Sequence, residues 1–541
     1  MATTYTRNNA WNNGGTLTGN PDLFWYAVGV GVMMNRGIID TKSWWYFAAI
    51  HGDPLPPWGN GTEWASITAP PSVPPLPSSD LQGWNQCQHA TWYFPPWHRG
   101  YLIALENQVR EDIVTAGGPS TWALPYWNYF DPNQFNIPPA FLQQTFPTTG
   151  LPANSPPGIA GSPNPLYVNA RYGPNGDGVI FVPTAAGRAA HPQDPNSDFA
   201  PGLVTDDCMS DSAYPNSFGG GPTGFEHFDS ATGDLENNPH NLVHSYIGGS
   251  QGNDQSNEQG LMGDPLMAGL DPIFYFHHGN IDRMWAIWNV TLGNANPNDP
   301  NWLHGPTTNG QPDFQMPKDG AWWKFTPSDV ADITQLNYTY QEMAAPAGLV
   351  TSAQAFSARL TALGAAPASA PTGGAPRMTA STKVELMGAT QGIITVKGNG
   401  ARAPLRLDRR VRGAVAMSLT AASPAKPPDR VFLRLDNVVG TVAGVLTVYL
   451  NLPEADKPGQ HQELCAGSVG LFGLRQASQK DGKHGGKGMS FTLDITKVVD
   501  HLHLNQSFDA DELSVSLVPS SAIPGSAPIS VGRISVYRQA G

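Results

Sequence analysis

Two kinds of hydrophobic spacing divide this chain. In the N-terminal part, WHRGYLIALENQVREDIVTAG (97–117) puts Leu102, Leu105, Val109 and Ile113 on one helical face and ends at paired glycines, which predicts a helix. NPHNLVHSYIGG (238–249) predicts another, opened by Pro239, whose missing N–H is harmless in a first turn, and closed by Gly248 and Gly249. DPIFYFHHGNIDRMWAIWNVTLG (271–293) predicts a third, started by Asp-Pro and stopped by a glycine. The stretch from about 130 to about 235 is rich in Pro and Gly and reads as loop.

The pattern changes after residue 342. AAPAGLVTSAQAFSARLTALGAAPASAPTGGAP is an Ala/Pro/Gly/Ser-rich run with room for a short helix from Ser352 to Leu363. Beyond it GIITVKG, RVFLRLDNV, GVLTVYLNL, SFTLDI, ELSVSLVP and ISVGRISVYR alternate apolar and polar residues in short β-branched runs. The expected architecture is a mainly α domain over 1–342 with a four-helix-bundle core and long loops. A linker follows over 343–378, then an all-β sandwich domain over 379–541.

Composition narrows the function. Lys+Arg 30 against Asp+Glu 43 gives a net charge of -13, which argues against nucleic acid or an anionic membrane as partner. Three cysteines, Cys87, Cys208 and Cys465, are too few for a disulfide framework. The first residues show no basic and apolar signal pattern, and no apolar run reaches the ~18 residues of a membrane span. The expected location is cytoplasmic, with secretion by another route left open. The tryptophans crowd the N-terminal part, in patches such as SWWYF and AWWKF, as a large aromatic core requires.

The candidate chemistry lies in the histidines. His240 and His244 stand four apart on a predicted helix and project from one face. His98 opens the first predicted helix, His89 precedes it in CQHATWYFPPWHRGYL, His51 closes WWYFAAIH, and His277 and His278 lie near the start of the third helix. Taken singly, each is as well explained as a core histidine; imidazoles grouped on several helices are how a bundle builds a central metal site. HNLVH has Asn241 where a zinc peptidase motif has glutamate, so no general base is placed for metal-assisted hydrolysis. The Glu-x-x-His pairs of a di-iron bundle are missing too. Six neutral nitrogen donors suit copper. Periodicity does not separate His277 from His278, because both faces carry apolar neighbours.

HATWYFPPWHRGYL, HNLVHSYIGG and DPIFYFHHGNIDRMW resemble the two copper-binding signatures of the tyrosinase family, which includes catechol oxidases, polyphenol oxidases and haemocyanins. The resemblance implies two copper ions with dioxygen as co-substrate. His51, His89 and His98 would hold the first ion, and His240, His244 and His278 the second. It also implies a thioether between Cys87 and His89, Phe274 packed over the metal pair, and Glu236 with Asn241 holding a water that takes the proton of a monophenol; as an alternative, Glu236 and Asn241 cap the helix start. Asp282 and Arg283 are either a network behind the ligands or a surface pair. In MGDPLMAGLDPIF, Pro265 replaces the bulky gate of plant-type members, which implies a more open entrance.

The β-region, with QELCAGSVGLFGLRQ and ELSVSLVPSS, is similar to the capping domain of plant polyphenol oxidases. That likeness implies latency, with Phe472 as the blocking side chain. The motif Tyr338-x-Tyr340 implies pairing with an N-terminal arginine, for which Arg7 is the candidate. The expected activity is ortho-hydroxylation of monophenols and oxidation of o-diphenols to o-quinones. The expected partners are small phenols, with a homo-oligomer left open. The rivals are a catechol oxidase, an oxygen carrier, for which several copper modules are expected in one chain, and a structural zinc protein.

Overall fold

A computed structural model describes residues 4–52, 81–173, 180, 182, 194–222, 232–250, 259–350, 352–365, 384–480, 485–508 and 511–541. Residues 351 and 366–378 of the expected linker lie outside the described residues. The chain forms two compact units, Met1–His191 with Val204–Pro346, and Pro192–Leu203 with Ala347–Gly541.

Among the described residues, the helices around the histidines of the first unit are α1 (Pro21–Met34), α2 (Trp44–His51), α3 (Phe94–Thr115), α4 (Leu242–Gly248) and α5 (Ile273–Ala286). Their starts follow capping chemistry. The Asn20 side chain accepts from the Asp22 and Leu23 amides ahead of α1, and Ser43 Oγ accepts from the Tyr46 amide in α2. The face expected of α3 is fully buried at Leu102, Leu105, Val109 and Ile113. α1 meets it through Gly29, where a Cβ would lie 2.9 Å from Val109 Cγ1. At the end of α2, Gly52 lets the backbone of Pro265 approach, since a Cβ there would come within 2.4 Å of the Pro265 carbonyl. The large aromatics Trp44, Trp97, Trp127 and Trp285 fill this core, as their crowding in the sequence suggests.

A short parallel pair, β1 (Tyr5–Arg7) with β2 (Tyr338–Tyr340), ties the two ends of this unit together and sets Arg7 opposite Tyr340. Among the described residues no helix is long and apolar enough to cross a membrane.

Among the described residues the second unit carries nine strands: β3 (Val384–Ala389), β4 (Ile394–Val396), β5 (Ala401–Leu407), β6 (Arg430–Val439), β7 (Val445–Leu450), β8 (Cys465–Gly470), β9 (Met489–Asp494), β10 (Glu512–Pro519) and β11 (Ile529–Gln539). They form one antiparallel sheet in the order β8-β7-β10-β5-β3-β11-β6-β9, with β4 also on β11. The sheet curls until its end strands meet, Gly467 of β8 facing Leu493 of β9. Alternation drives this: in β5 Ala403, Leu405 and Leu407 point inward while Arg402 and Arg406 are exposed. The helix Ser352–Ala362 belongs to this unit, held by Arg359, which bonds both Asp500 oxygens and the carbonyls of Pro428 and Asp429. Pro192–Leu203 also packs here, where Thr447 Oγ1 donates to the Ala200 carbonyl and the Ala200 amide donates to Pro519.

Candidate metal centre

Each histidine singled out in the sequence arrives on a different piece of backbone. His51 is the last residue of α2, His98 lies in the first turns of α3, His244 is in α4 and His278 in α5. His240 comes from the wide turn Glu236–Asn241 that leads into α4. His89 lies in the loop before α3, outside any helix.

These side chains gather into two groups. Donor atoms of His51, Cys87, His89 and His98 all lie within 4.8 Å of one another, and so do those of His240, His244, His277 and His278. Ring centroids in the first group are 5.4 Å (His51 to His89), 5.5 Å (His89 to His98) and 5.8 Å (His51 to His98) apart. In the second, His240 lies 4.4 Å from His244 and 4.8 Å from His278. The groups adjoin: His98 stacks on His278 at 4.3 Å with planes 12° apart.

Backbone oxygens decide which ring nitrogen faces inward. Nδ1 of His51 donates to the Pro265 carbonyl (2.9 Å), Nδ1 of His98 to Phe94 (2.8 Å) and Nδ1 of His244 to Met262 (2.7 Å). Nδ1 of His240 donates to Asn241 Oδ1 (2.8 Å). A carbonyl oxygen only accepts, so Nδ1 holds the proton in each ring and Nε2 presents a lone pair. His51 Nε2 is buried with no hydrogen-bond partner among the described residues. His278 Nε2 lies 3.3 Å from His240 Nε2 and 3.4 Å from His244 Nε2. Ring nitrogens that converge this closely in a dry pocket are well placed around a cation.

Burial keeps these rings neutral, as metal binding needs. It pushes His51 down to about 3, with the Pro265 carbonyl pulling the other way. His98, His240, His244 and His278 are held well below the ordinary imidazole value by burial first, then by neighbouring imidazoles. His277 is also in the second group, but its Nδ1 is engaged by the Tyr129 hydroxyl at 3.3 Å.

The structure brings Cys87, Phe274 and Glu236 close to these histidines or to their loops. Cys87 Sγ stands 3.6 Å from each ring nitrogen of His89 and 3.3 Å from His98 Nε2. The Phe274 ring reaches both groups, at 4.7 Å from His51 and 4.2 Å from His278. Glu236, 3% exposed, accepts the Ala90 amide with both oxygens (2.8 and 2.9 Å). Its carboxyl is pushed up to about 8 by burial, against the pull of that amide. Neither Glu236 nor Asn241 caps α4 with its side chain.

Behind the ligands lies a buried ion-pair network, so Asp282 is not a surface residue. It accepts from Arg99, Arg7, Tyr338 and Tyr340. Arg7 also bonds Glu106 at 2.7 Å and lies 3.9 Å over the Tyr338 ring. Burial alone would raise the Asp282 pKa, but the guanidiniums of Arg99 and Arg7 hold it below the usual carboxylate value. Arg283, also buried, bonds Asn280 and the Glu342 carbonyl.

Sequence reasoning missed Phe94, whose ring packs on both His98 (4.6 Å) and His240 (4.7 Å), one from each group. Its place at the head of the PPWH run was the available signal. It also missed the carbonyls of Pro265, Met262 and Phe94, which leave no mark in side-chain identity.

Two adjoining groups of imidazoles on a helical core define the class: a protein with two clusters that could each hold a metal ion on nitrogen donors. The known proteins it resembles give that class a name. Residues 41–291 match the model of the common central domain of tyrosinase, and residues 383–539 match a domain of unknown function, DUF7868. A tyrosinase of Hahella sp. (strain CCB-MM4) is 32% identical over 526 residues, covering 96% of this chain and 97% of the relative. A chloroplastic polyphenol oxidase of Vitis vinifera is 31% identical over 265 residues, covering 48% of this chain and 38% of the relative. In fold, the chain is similar to latent apple tyrosinase, with a TM-score of 0.57 at 19% identity over 100% of this chain and 98% of the other. The chain belongs to the tyrosinase family of type-3 copper enzymes, whose members bind two copper ions.

Proposed function

We propose that this protein is a tyrosinase in the strict sense, hydroxylating monophenols at the ortho position and oxidising o-diphenols to o-quinones with dioxygen. In balance, a monophenol and O2 give an o-quinone and water, and two o-diphenols and O2 give two o-quinones and two waters. The observation that carries the reading is the set of anchored imidazoles with Nε2 lone pairs turned into one dry space. Those donors fit copper: burial keeps them neutral, and the carbonyl oxygens of Pro265, Phe94, Asn241 and Met262 hold the proton of His51, His98, His240 and His244 on Nδ1, as metal-binding histidines require.

His51, His89 and His98 would hold one ion, and His240, His244 and His278 the other. When bound, the copper pair supplies the two-electron chemistry with dioxygen. The chain supplies the rest. Phe274 and Phe94 shut water from the imidazoles and brace one group against the other. The Cys87 sulfur beside the His89 ring is placed for a thioether that would fix that ring and remove a free thiol from the site. A phenol near pKa 10 needs a proton acceptor at neutral pH, and Glu236 with Asn241 is the pair for that task, through a water.

The Hahella relative, named as a tyrosinase, supports the hydroxylase reading over nearly the whole chain. The plant relatives include one named catechol oxidase, and that is the second reading. Turnover of a monophenol beside its own o-diphenol decides between them: hydroxylation supports the proposal, and oxidation of the diphenol alone overturns it. Solved structures titled as latent, similar to this chain in fold, support reading the full chain as a latent form. Pro265 in place of a bulky gate favours larger phenols.

A further inference from the structure

We propose that Glu236 is a positioning residue that fixes where His89 stands relative to His240, and so holds the first metal position at its distance from the second. The inference rests on the two-copper reading of the site.

Five of the six expected ligands are carried by helices or by the helical turn at Glu236–Asn241, whose hydrogen bonds set their direction. His89 is carried by a loop instead. The next residue, Ala90, has φ +53°, a left-handed conformation that a residue with a Cβ keeps only when its surroundings impose it. Glu236 imposes it. Its two oxygens take the Ala90 amide at 2.8 and 2.9 Å in a buried place, where no water can replace the bond.

Glu236 is also the first residue of the turn that delivers His240. One carboxylate therefore straps the loop of one histidine group to the turn of the other, and the two rings it controls are 5.6 Å apart. A proton acceptor could stand anywhere a water reaches; a strap needs a carboxylate or amide of this length at this place.

The test is copper loading of the full chain, read as copper per folded protein and by electron paramagnetic resonance, with thermal unfolding of the copper-free protein to confirm folding. Wild type is expected to take up two ions and to be silent as a coupled cupric pair. Glu236→Gln keeps an acceptor for the Ala90 amide and is expected to load two ions and stay silent. Glu236→Ala, and Glu236→Asp, which keeps the acid on a shorter arm, are expected to fall to about one ion and to show the signal of an isolated cupric ion. Two ions and a silent spectrum in both the Ala and Asp variants would overturn the strap while leaving the copper reading intact. A wild type that binds no copper would overturn the copper reading, and the strap with it.

Discussion

Asn241 Oδ1 lies 2.8 Å from Nδ1 of His240, so the residue that follows this histidine in sequence also turns its ring. Asn241→Ala removes the acceptor that holds the tautomer. The expected result is a copper affinity about 10- to 100-fold weaker at the second position. Competition with a copper chelator measures it.

His277 and His278 are neighbours with different partners. Because His278 Nε2 converges with those of His240 and His244 while the His277 ring is drawn to the His240 backbone carbonyl, the two substitutions should differ. His278→Ala is expected to lose one copper ion per chain, and His277→Ala to keep two. Metal analysis of the two variants checks this, and the reverse result would exchange their roles.

Asp282 sits under four donors with almost no solvent contact. Asp282→Asn leaves Arg99 buried without its counter-charge and takes from Arg7 one of its two carboxylate partners, Glu106 remaining, and the expected loss is about 3–5 kcal/mol of stability, read by denaturant unfolding. The same residue gives a pH dependence. Its pKa is lower in the folded protein than the ordinary carboxylate value, so its stabilisation is present above that value and is lost as pH falls through the folded one. Wild type should therefore lose thermal stability more steeply than Asp282→Asn below about pH 4.

Cys87 lies against the ring of His89. If the thioether forms, the sulfur and a ring carbon each lose a hydrogen, two electrons passing to the copper and dioxygen of the loaded enzyme. Intact mass spectrometry of copper-matured protein should then show a chain lighter by two hydrogens, and Cys87→Ser should show the full sequence mass.

Latency is tested by cutting the chain between residues 366 and 383. Higher phenol turnover after the cut supports capping; equal turnover before and after contradicts it. The helix Ser352–Ala362 is expected to remain with the C-terminal fragment when both of its sides are cut, because Arg359 ties it to Asp500 and to two carbonyls.

Much of this was legible in the sequence because helical spacing is local. The i, i+4 step from His240 to His244, the apolar face of α3 and the alternation in β6 depend only on neighbours along the chain. The choice between His277 and His278 was not legible, since both faces of α5 are buried and orientation alone separates the two rings. Nor was the environment of Asp282, whose partners come from Arg7, Arg99, Tyr338 and Tyr340 and meet only when β1 pairs with β2. The place of Pro192–Leu203 escaped because its bonds to Thr447 and Pro519 use backbone atoms that every residue has. The strap at Glu236 escaped for the same reason: its partner is an amide.

The central claim is that His51, His89, His98, His240, His244 and His278 hold two copper ions close enough to act on dioxygen together. The most direct measurement is the absorption spectrum of the copper-loaded protein as hydrogen peroxide is added. An intense near-ultraviolet charge-transfer band, growing to saturation at one peroxide per pair of copper ions, is the predicted result; only the weak visible absorption of separate cupric ions, unchanged by peroxide, would contradict it.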